Sequence, residues 1–147
     1  RATILLGNIR RIIKLYDSML KPICDRYELS PIETTIISFL YNNPGKDTAA
    51  DIVELRMLSK SNVSPAVESL IQKSLLFRRQ DTADRRRIHL SLTPKAEPIT
   101  REIEQVRKSF HEQIFRGFSS EEESILAQFH KRIEENTKAA MKEGISK

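Results

Sequence analysis

Within residues 48–93 the spacing of apolar side chains changes from the three-and-four rhythm of helices to the alternation of a strand. That change restricts the chain to few folds. Asp47 or Thr48 caps a short first helix, with Asp51 three residues after Thr48 and with Ile52, Val53 and Leu55 on its inner side. Arg56-Met57-Leu58 reads as a turn. Ser59 then caps a second helix, in which Val63, Ala66, Val67 and Leu70 line one face. Two strands follow: Leu75-Leu76-Phe77-Arg78-Arg79, and Arg87-Ile88-His89-Leu90-Ser91-Leu92-Thr93. In the second, Ile88, Leu90 and Leu92 fall on one side and His89 and Ser91 on the other. A polar tip joins the strands, and five arginines, at 78, 79, 85, 86 and 87, sit in and around it.

A tight helix pair followed by an arginine-tipped hairpin is a winged helix-turn-helix, a module that sets one helix in the DNA major groove and the hairpin beside it. The second helix has the face such a role requires. Opposite its apolar back it presents Ser61, Asn62, Ser64, Pro65, Glu68 and Gln72. Small side chains allow close approach, hydroxyl and amide groups can read base edges, and free N–H groups at a helix start can hold a phosphate. Arginines crowded on a small hairpin repel one another unless a polyanion neutralises them. Asp81 and Asp84 offset part of that repulsion and can orient an arginine.

The rest of the chain reads as helices that carry this module. Residues 1–27 repeat apolar side chains at three and four, from Ile4 to Cys24, and form a long helix with one broad stripe. A partner subunit or the chain's own core can cover that stripe. Ser30-Pro31-Ile32-Glu33 is a helix start with serine cap, first-turn proline and capping box, and Ile32, Ile36, Phe39 and Leu40 then point inward. Asn42-Asn43-Pro44-Gly45 ends that helix. Thr93-Pro94 begins another, with Pro98 inside its first turns and a stripe from Ile99 to Ile114. Gly117 breaks it. Ser119-Ser120-Glu121-Glu122 starts the last helix, whose apolar positions include Ile125, Phe129, Ile133 and Met141.

Composition narrows the functional classes. The formal charge of +5 favours polyanionic partners. A 6% aromatic content without tryptophan argues against a stacking platform for single strands. No apolar run approaches the ~20 residues of a membrane span, so a cytoplasmic protein is expected. Cys24 is the single cysteine, which excludes an intrachain disulfide framework; it is expected to be a buried, inert thiol. His89, His111 and His130 lack ligand spacing, so no metal and no cofactor is expected. No nucleophile–base pair, phosphate-binding glycine loop or paired-carboxylate motif stands out, and an enzyme is not expected.

With these residues in place, the chain resembles the MarR family of bacterial transcriptional regulators over nearly its whole length. The similarity rests on Leu29-Ser30-Pro31, on Leu58-Ser59-Lys60-Ser61-Asn62-Val63-Ser64 at the start of the recognition helix, and on Asp84-Arg85-Arg86 followed by Leu90-Ser91-Leu92-Thr93. It implies that Arg86 is the wing arginine entering the minor groove and that Asp84 steadies it. It further implies a homodimer made by the first and last two helices, a pseudo-palindromic operator, and a small-molecule effector bound between the dimerisation helices and the DNA-binding lobe. Three departures stand out. Pro65 occupies a position that is often basic, Ser74 replaces a glycine after the recognition helix, and Ala96 replaces a glycine after the Leu-Thr strand end.

The expected fold is mainly α with a small β wing: an N-terminal dimerisation helix over 1–29, a winged helix-turn-helix over 30–93 and C-terminal dimerisation helices over 94–147. Double-stranded DNA is the expected partner of Lys60, Ser61, Asn62, Ser64, Pro65, Arg79, Asp84, Arg85 and Arg86. Asn62 suits an adenine edge and Pro65 a thymine methyl; Lys60 and Arg79 suit the backbone. The rival is a winged helix that no longer reads DNA and docks a protein partner instead.

Overall fold

Side-chain caps fix where the helices of the central module begin. Ser30 Oγ accepts the Glu33 N–H at 3.2 Å while the Glu33 carboxylate accepts the Ser30 N–H at 2.9 Å, and Pro31 occupies the first helical position, starting α2 (Pro31–Asn42). Thr48 and Asp51 make the same reciprocal pair, at 3.1 and 3.2 Å, and start α3 (Ala49–Arg56). Ser59 Oγ accepts the Asn62 N–H at 3.3 Å and starts α4 (Lys60–Gln72). These elements belong to a computed structural model that describes residues 1–146. Lys147, the last residue of the expected segment 94–147, lies outside the described residues.

The order is α1 (Ala2–Tyr27), α2, α3, α4, β1 (Leu76–Gln80), β2 (Ile88–Leu92), a short 3-10 turn (Pro94–Ala96), α5 (Glu97–Ile114) and α6 (Ser120–Ser146). The two strands pair antiparallel, with Leu76 opposite Leu92, Arg78 opposite Leu90 and Arg79 opposite His89. This is a mainly helical chain with a small β wing. The chain divides by compactness into Arg1–Phe110 and His111–Lys147.

The first unit holds the core. Ile36, Ile37, Phe39, Ile52, Val63, Leu70, Leu76 and Ile103 are fully buried, joined by Leu20 and Ile23 from the end of α1 and by Leu29 just after it. The inner face of α4 is as read from its spacing: Val63, Ala66, Val67 and Leu70 are all buried. Leu55 is a correction. It is 45% exposed, because α3 is only two turns long and just Ile52 is fully buried on it, with Val53 packed at the edge. The stripe of α1 is covered only at its C-terminal end. Ile4, Leu5, Ile9 and Ile13 remain exposed.

Thr93 opens the next element differently from the other caps. It stands at the cap position, with Pro94 next, but its side chain makes no capping bond; its hydroxyl donates to the Ser74 carbonyl at 2.6 Å, closing the base of the wing. Pro94 opens a 3-10 turn, so α5 begins at Glu97 and Pro98 falls in its first turn, where a missing N–H costs little. Ala96 fits fully buried in the core and is not among the residues of positive φ, so its backbone has no need of glycine. Ser74 differs: its φ is 62°, the left-handed region that glycine enters without strain. In the second unit Gly117, at φ 84°, turns the chain, and Ser119 with Glu122 forms the reciprocal cap that starts α6. Ile125, Phe129, Ile133 and Met141 on α6 are about half exposed.

Candidate nucleic-acid interface

With its apolar back sunk in the core, α4 turns Lys60, Ser61, Asn62, Ser64, Pro65 and Glu68 outward, all exposed. The helix runs unbroken through Pro65. The proline removes the hydrogen bond that the Ser61 carbonyl would otherwise accept. Ser59 and Ser61 hydroxyls lie 3.2 Å apart at the helix start, so the first turn presents a small polar surface beside free backbone N–H groups.

The wing is organised by its acids. One carboxylate oxygen of Asp81 accepts the N–H groups of Ala83 and Asp84, at 2.9 and 2.7 Å, and folds the chain into the tip. Asp84 repeats the device one step on: Oδ1 accepts the Arg86 N–H at 3.1 Å and lies 3.6 Å from Arg86 Nε. The Asp84 carbonyl accepts the Arg87 N–H at 3.0 Å, and Gln80 Nε2 donates to the Arg85 carbonyl at 2.8 Å. A tip held by this many backbone bonds presents its side chains on a fixed frame. Arg86 is the outcome: its side chain is 95% exposed, although Asp84 stands beside it.

The arginines are not equivalent. Arg78 makes a two-pronged pair with Glu68 of α4, Nη1 to Oε1 at 2.6 Å and Nη2 to Oε2 at 2.9 Å. That pair ties α4 to the wing and neutralises the acid on the exposed face of the helix. Arg79 lies across the sheet from His89. Arg85, Arg86 and Arg87 are exposed at the tip. Between α3, α4 and the wing lies a cleft of about 630 Å³, whose walls include Ser64, Glu68, Arg78, Asp84, Arg86 and Arg87.

The residues singled out from sequence therefore fall in two places. Lys60, Ser61, Asn62, Ser64 and Pro65 share the outer face of α4, and Arg79, Asp84, Arg85 and Arg86 belong to the wing. Sequence reading missed Glu68 as a partner of Arg78, and it missed His89, which reads from sequence only as a metal ligand without the right spacing. The His89 ring contacts Asp47 Oδ1 through Nδ1 and Asp81 Oδ1 through Nε2, each at 2.7 Å. Among the described residues no three His, Cys, Asp or Glu side chains converge as a metal site. Cys24 is half-buried rather than fully buried, with its sulfur 3.7 Å from Thr34 Oγ1, and it lines a separate cleft of about 360 Å³ with Tyr16, Leu20, Leu29, Pro31 and Thr35. No helix among the described residues is long and apolar enough to cross a membrane.

Comparison with known proteins agrees with this geometry. The MarR family model matches residues 27–87, from the end of α1 to the wing tip. Three solved structures share the fold. A MarR protein from Peptoclostridium difficile DA00132 superposes with a TM-score of 0.80 at 18% identity, over 92% of this chain and 88% of that one. The transcriptional regulator PA3341 gives 0.81 at 22% identity, over 94% and 98%. Bordetella bronchiseptica BpsR, whose DNA binding is regulated by 6-hydroxynicotinic acid, gives 0.69 at 18% identity, over 88% and 98%. The family match thus covers the segment from the end of α1 to the wing tip, and over nearly its whole length the chain has the winged helix-turn-helix fold of these structures.

Proposed function

We propose that this protein is a sequence-specific, double-stranded DNA-binding transcriptional regulator, a ligand-responsive repressor that binds a pseudo-palindromic operator as a homodimer. The observation that carries the reading is the wing tip, where one oxygen of Asp81 and one of Asp84 accept backbone N–H groups and Arg85 and Arg86 remain exposed. An exposed arginine on a fixed turn beside a polar helix start is suited to a phosphate backbone and a minor groove. In this reading Ser61, Asn62 and Ser64 meet base edges or phosphates, Pro65 a thymine methyl, Lys60 and Arg79 the backbone, and Arg85 and Arg86 the minor groove.

Two observations support a homodimer. The N-terminal half of α1 leaves Ile4, Leu5, Ile9 and Ile13 exposed, and α6 leaves Ile125, Phe129 and Ile133 half exposed. Rows of that size are the kind of surface a second subunit covers. Segments 1–29 and 94–147 are then the dimerisation helices, and two recognition helices about 34 Å apart read half-sites one turn apart. The 360 Å³ cleft beside Tyr16 and Cys24 suits a small effector, by analogy with the acid that regulates BpsR. Such an effector acts only if it favours a different spacing of the two helices. A regulator of this kind works on the chromosome, hence in the cytoplasm.

Selection from a random-duplex pool across a salt series tests the reading. A recovered palindrome, with affinity falling steeply as salt rises, supports it. Absence of both enrichment and salt sensitivity overturns it in favour of a winged helix that docks a protein partner.

A further inference from the structure

His89 joins the wing turn to the loop before α3. Its Nδ1 meets Asp47 Oδ1 and its Nε2 meets Asp81 Oδ1, both at 2.7 Å, and only 15% of the side chain is exposed. An ionised carboxylate accepts and cannot donate, so the ring satisfies both acids only when both nitrogens carry a proton. A neutral ring has one proton and turns a lone pair toward one of the two acids.

Both acids have second duties that make this contact matter. The other oxygen of Asp81 accepts the N–H groups of Ala83 and Asp84, the start of the turn that presents Arg85 and Arg86. The backbone carbonyl of Asp47 accepts the Leu90 N–H at 2.8 Å, next to His89 itself. Three charged groups face the ring: Asp47 from the loop, Asp81 from the wing turn, and Arg79 from the neighbouring position on β1. Two acids against one base favour the imidazolium.

We propose that His89 is a positioning residue for DNA binding: doubly protonated, it clamps the wing tip to the loop that begins the helix-turn-helix, and loss of one proton releases the tip and weakens its hold on a duplex. The proposal rests on the DNA-binding reading above. The titration of the groups agrees with the geometry. Hydrogen bonding to Asp81, and then to Asp47, raises the His89 pKa above its ordinary 6.5, against desolvation and Arg79. The same contact, ahead of the two backbone N–H groups, holds Asp81 at about 2. The clamp is therefore closed below 6.5 and opens as pH rises through the raised value, so affinity falls on the alkaline side.

Two readouts on the full chain test this, each followed across the same pH range at fixed ionic strength. Nitrogen-15 NMR follows the His89 ring and the backbone amides of Ala83 and Asp84. Fluorescence anisotropy follows binding to a mixed-sequence duplex pool, for wild type, His89→Gln and His89→Arg. The amides are expected to shift at the midpoint of the ring, and wild-type affinity to fall by at least about fivefold across it. Both variants are expected to lose that step, His89→Gln because it carries no charge and His89→Arg because its charge does not titrate there. Amides that ignore the ring, wild-type affinity that is flat across the midpoint, or a step that persists in His89→Gln would each overturn the proposal. If the amides follow the ring but no form binds duplex at any pH, the DNA-binding reading fails while the clamp itself stands.

Discussion

Two carboxylate centres hold this helix-turn-helix in shape, and they respond to pH in opposite directions. Glu33, in the first turn of α2, faces α4 with its side chain only 6% exposed; it accepts from the Ser30 N–H, from Ser69 at 2.9 Å and from Lys73 at 3.0 Å. Lys73 also donates to the Glu28 carbonyl at 2.6 Å, so the same cluster reaches the end of α1. Asp81 and Asp47, at the wing, are more open, and their shared partner is a histidine rather than a lysine. Of the two base types, a histidine is the one that ordinarily changes its charge near neutral pH. The buried centre is thus a fixed tie between helices, and the wing centre an adjustable one. The choice of base at each centre divides the two roles.

Removing the buried acid is the largest expected effect. Glu33→Ala leaves Lys73 and Ser69 without their acceptor and opens the α2 capping box, at a cost of about 3 kcal/mol in chemical denaturation. The pH dependence separates the centres further. Burial would raise the Glu33 pKa, but bonds from the Ser30 N–H, Lys73 and Ser69 outweigh it and hold the carboxyl below its ordinary 4.5. Its stabilisation is fully present above 4.5 and is lost as pH falls through the lowered value. The gap between wild type and Glu33→Gln should therefore close in acid. For His89 the sign reverses: the gap to His89→Gln is full below 6.5 and closes as pH rises through the raised value. Two gaps closing on the same side would break the comparison.

Arg86→Ala tests whether the wing serves binding rather than folding. The side chain is almost wholly exposed, so stability should change by no more than about 0.5 kcal/mol. Duplex affinity should fall by about 1–3 kcal/mol, and the salt slope should flatten by about 0.9 for each phosphate that the variant no longer neutralises. Salt-dependent anisotropy decides the matter. An unchanged slope removes this arginine from the interface.

What the sequence discloses of these centres depends on how far apart their members lie. The caps at Ser30, Thr48 and Ser59 act within three residues, so spacing alone finds them. The buried face of α4 follows from one helical period. Leu55 misleads because a two-turn helix has too little length to define a face. Glu33 reads as a capping residue, and it is one; its bond to Lys73, forty residues on, depends on how α2 packs against α4. The His89–Asp47 contact spans forty-two residues and needs the loop before α3 to lie along β2. No period or motif encodes that placement. The faint trace in sequence is a histidine among arginines with an acid at each side of the tip.

Thr48→Ala probes the loop that carries Asp47. Thr48 Oγ1 accepts the Asp51 N–H at 3.1 Å, and losing that cap should cost about 1 kcal/mol in thermal unfolding. Because Asp47 is the preceding residue, the substitution should also slacken its hold on His89 and lower duplex affinity slightly. Ser30→Ala, its counterpart in the buried centre, should match the stability cost and leave affinity alone. Equal effects on affinity would mean that both centres position the wing.

Ser74 marks the seam between the two centres, one residue beyond Lys73 and just before the wing strand. Its φ of 62° carries a penalty of about 1 kcal/mol for a residue with a side chain. Its backbone is well employed: the N–H donates to Ile71 at 3.0 Å, and the carbonyl accepts from Thr93. Ser74→Gly keeps both bonds and relieves the strain, while the freer unfolded chain takes back part of the gain. The net should be a stabilisation of about 0.5 kcal/mol, read as a raised denaturation midpoint at constant slope. Duplex affinity should not move, since the exposed side chain belongs to neither centre. A lower midpoint would show that the serine stiffens the seam, and the frame and the adjustable edge would then be one mechanical unit rather than two.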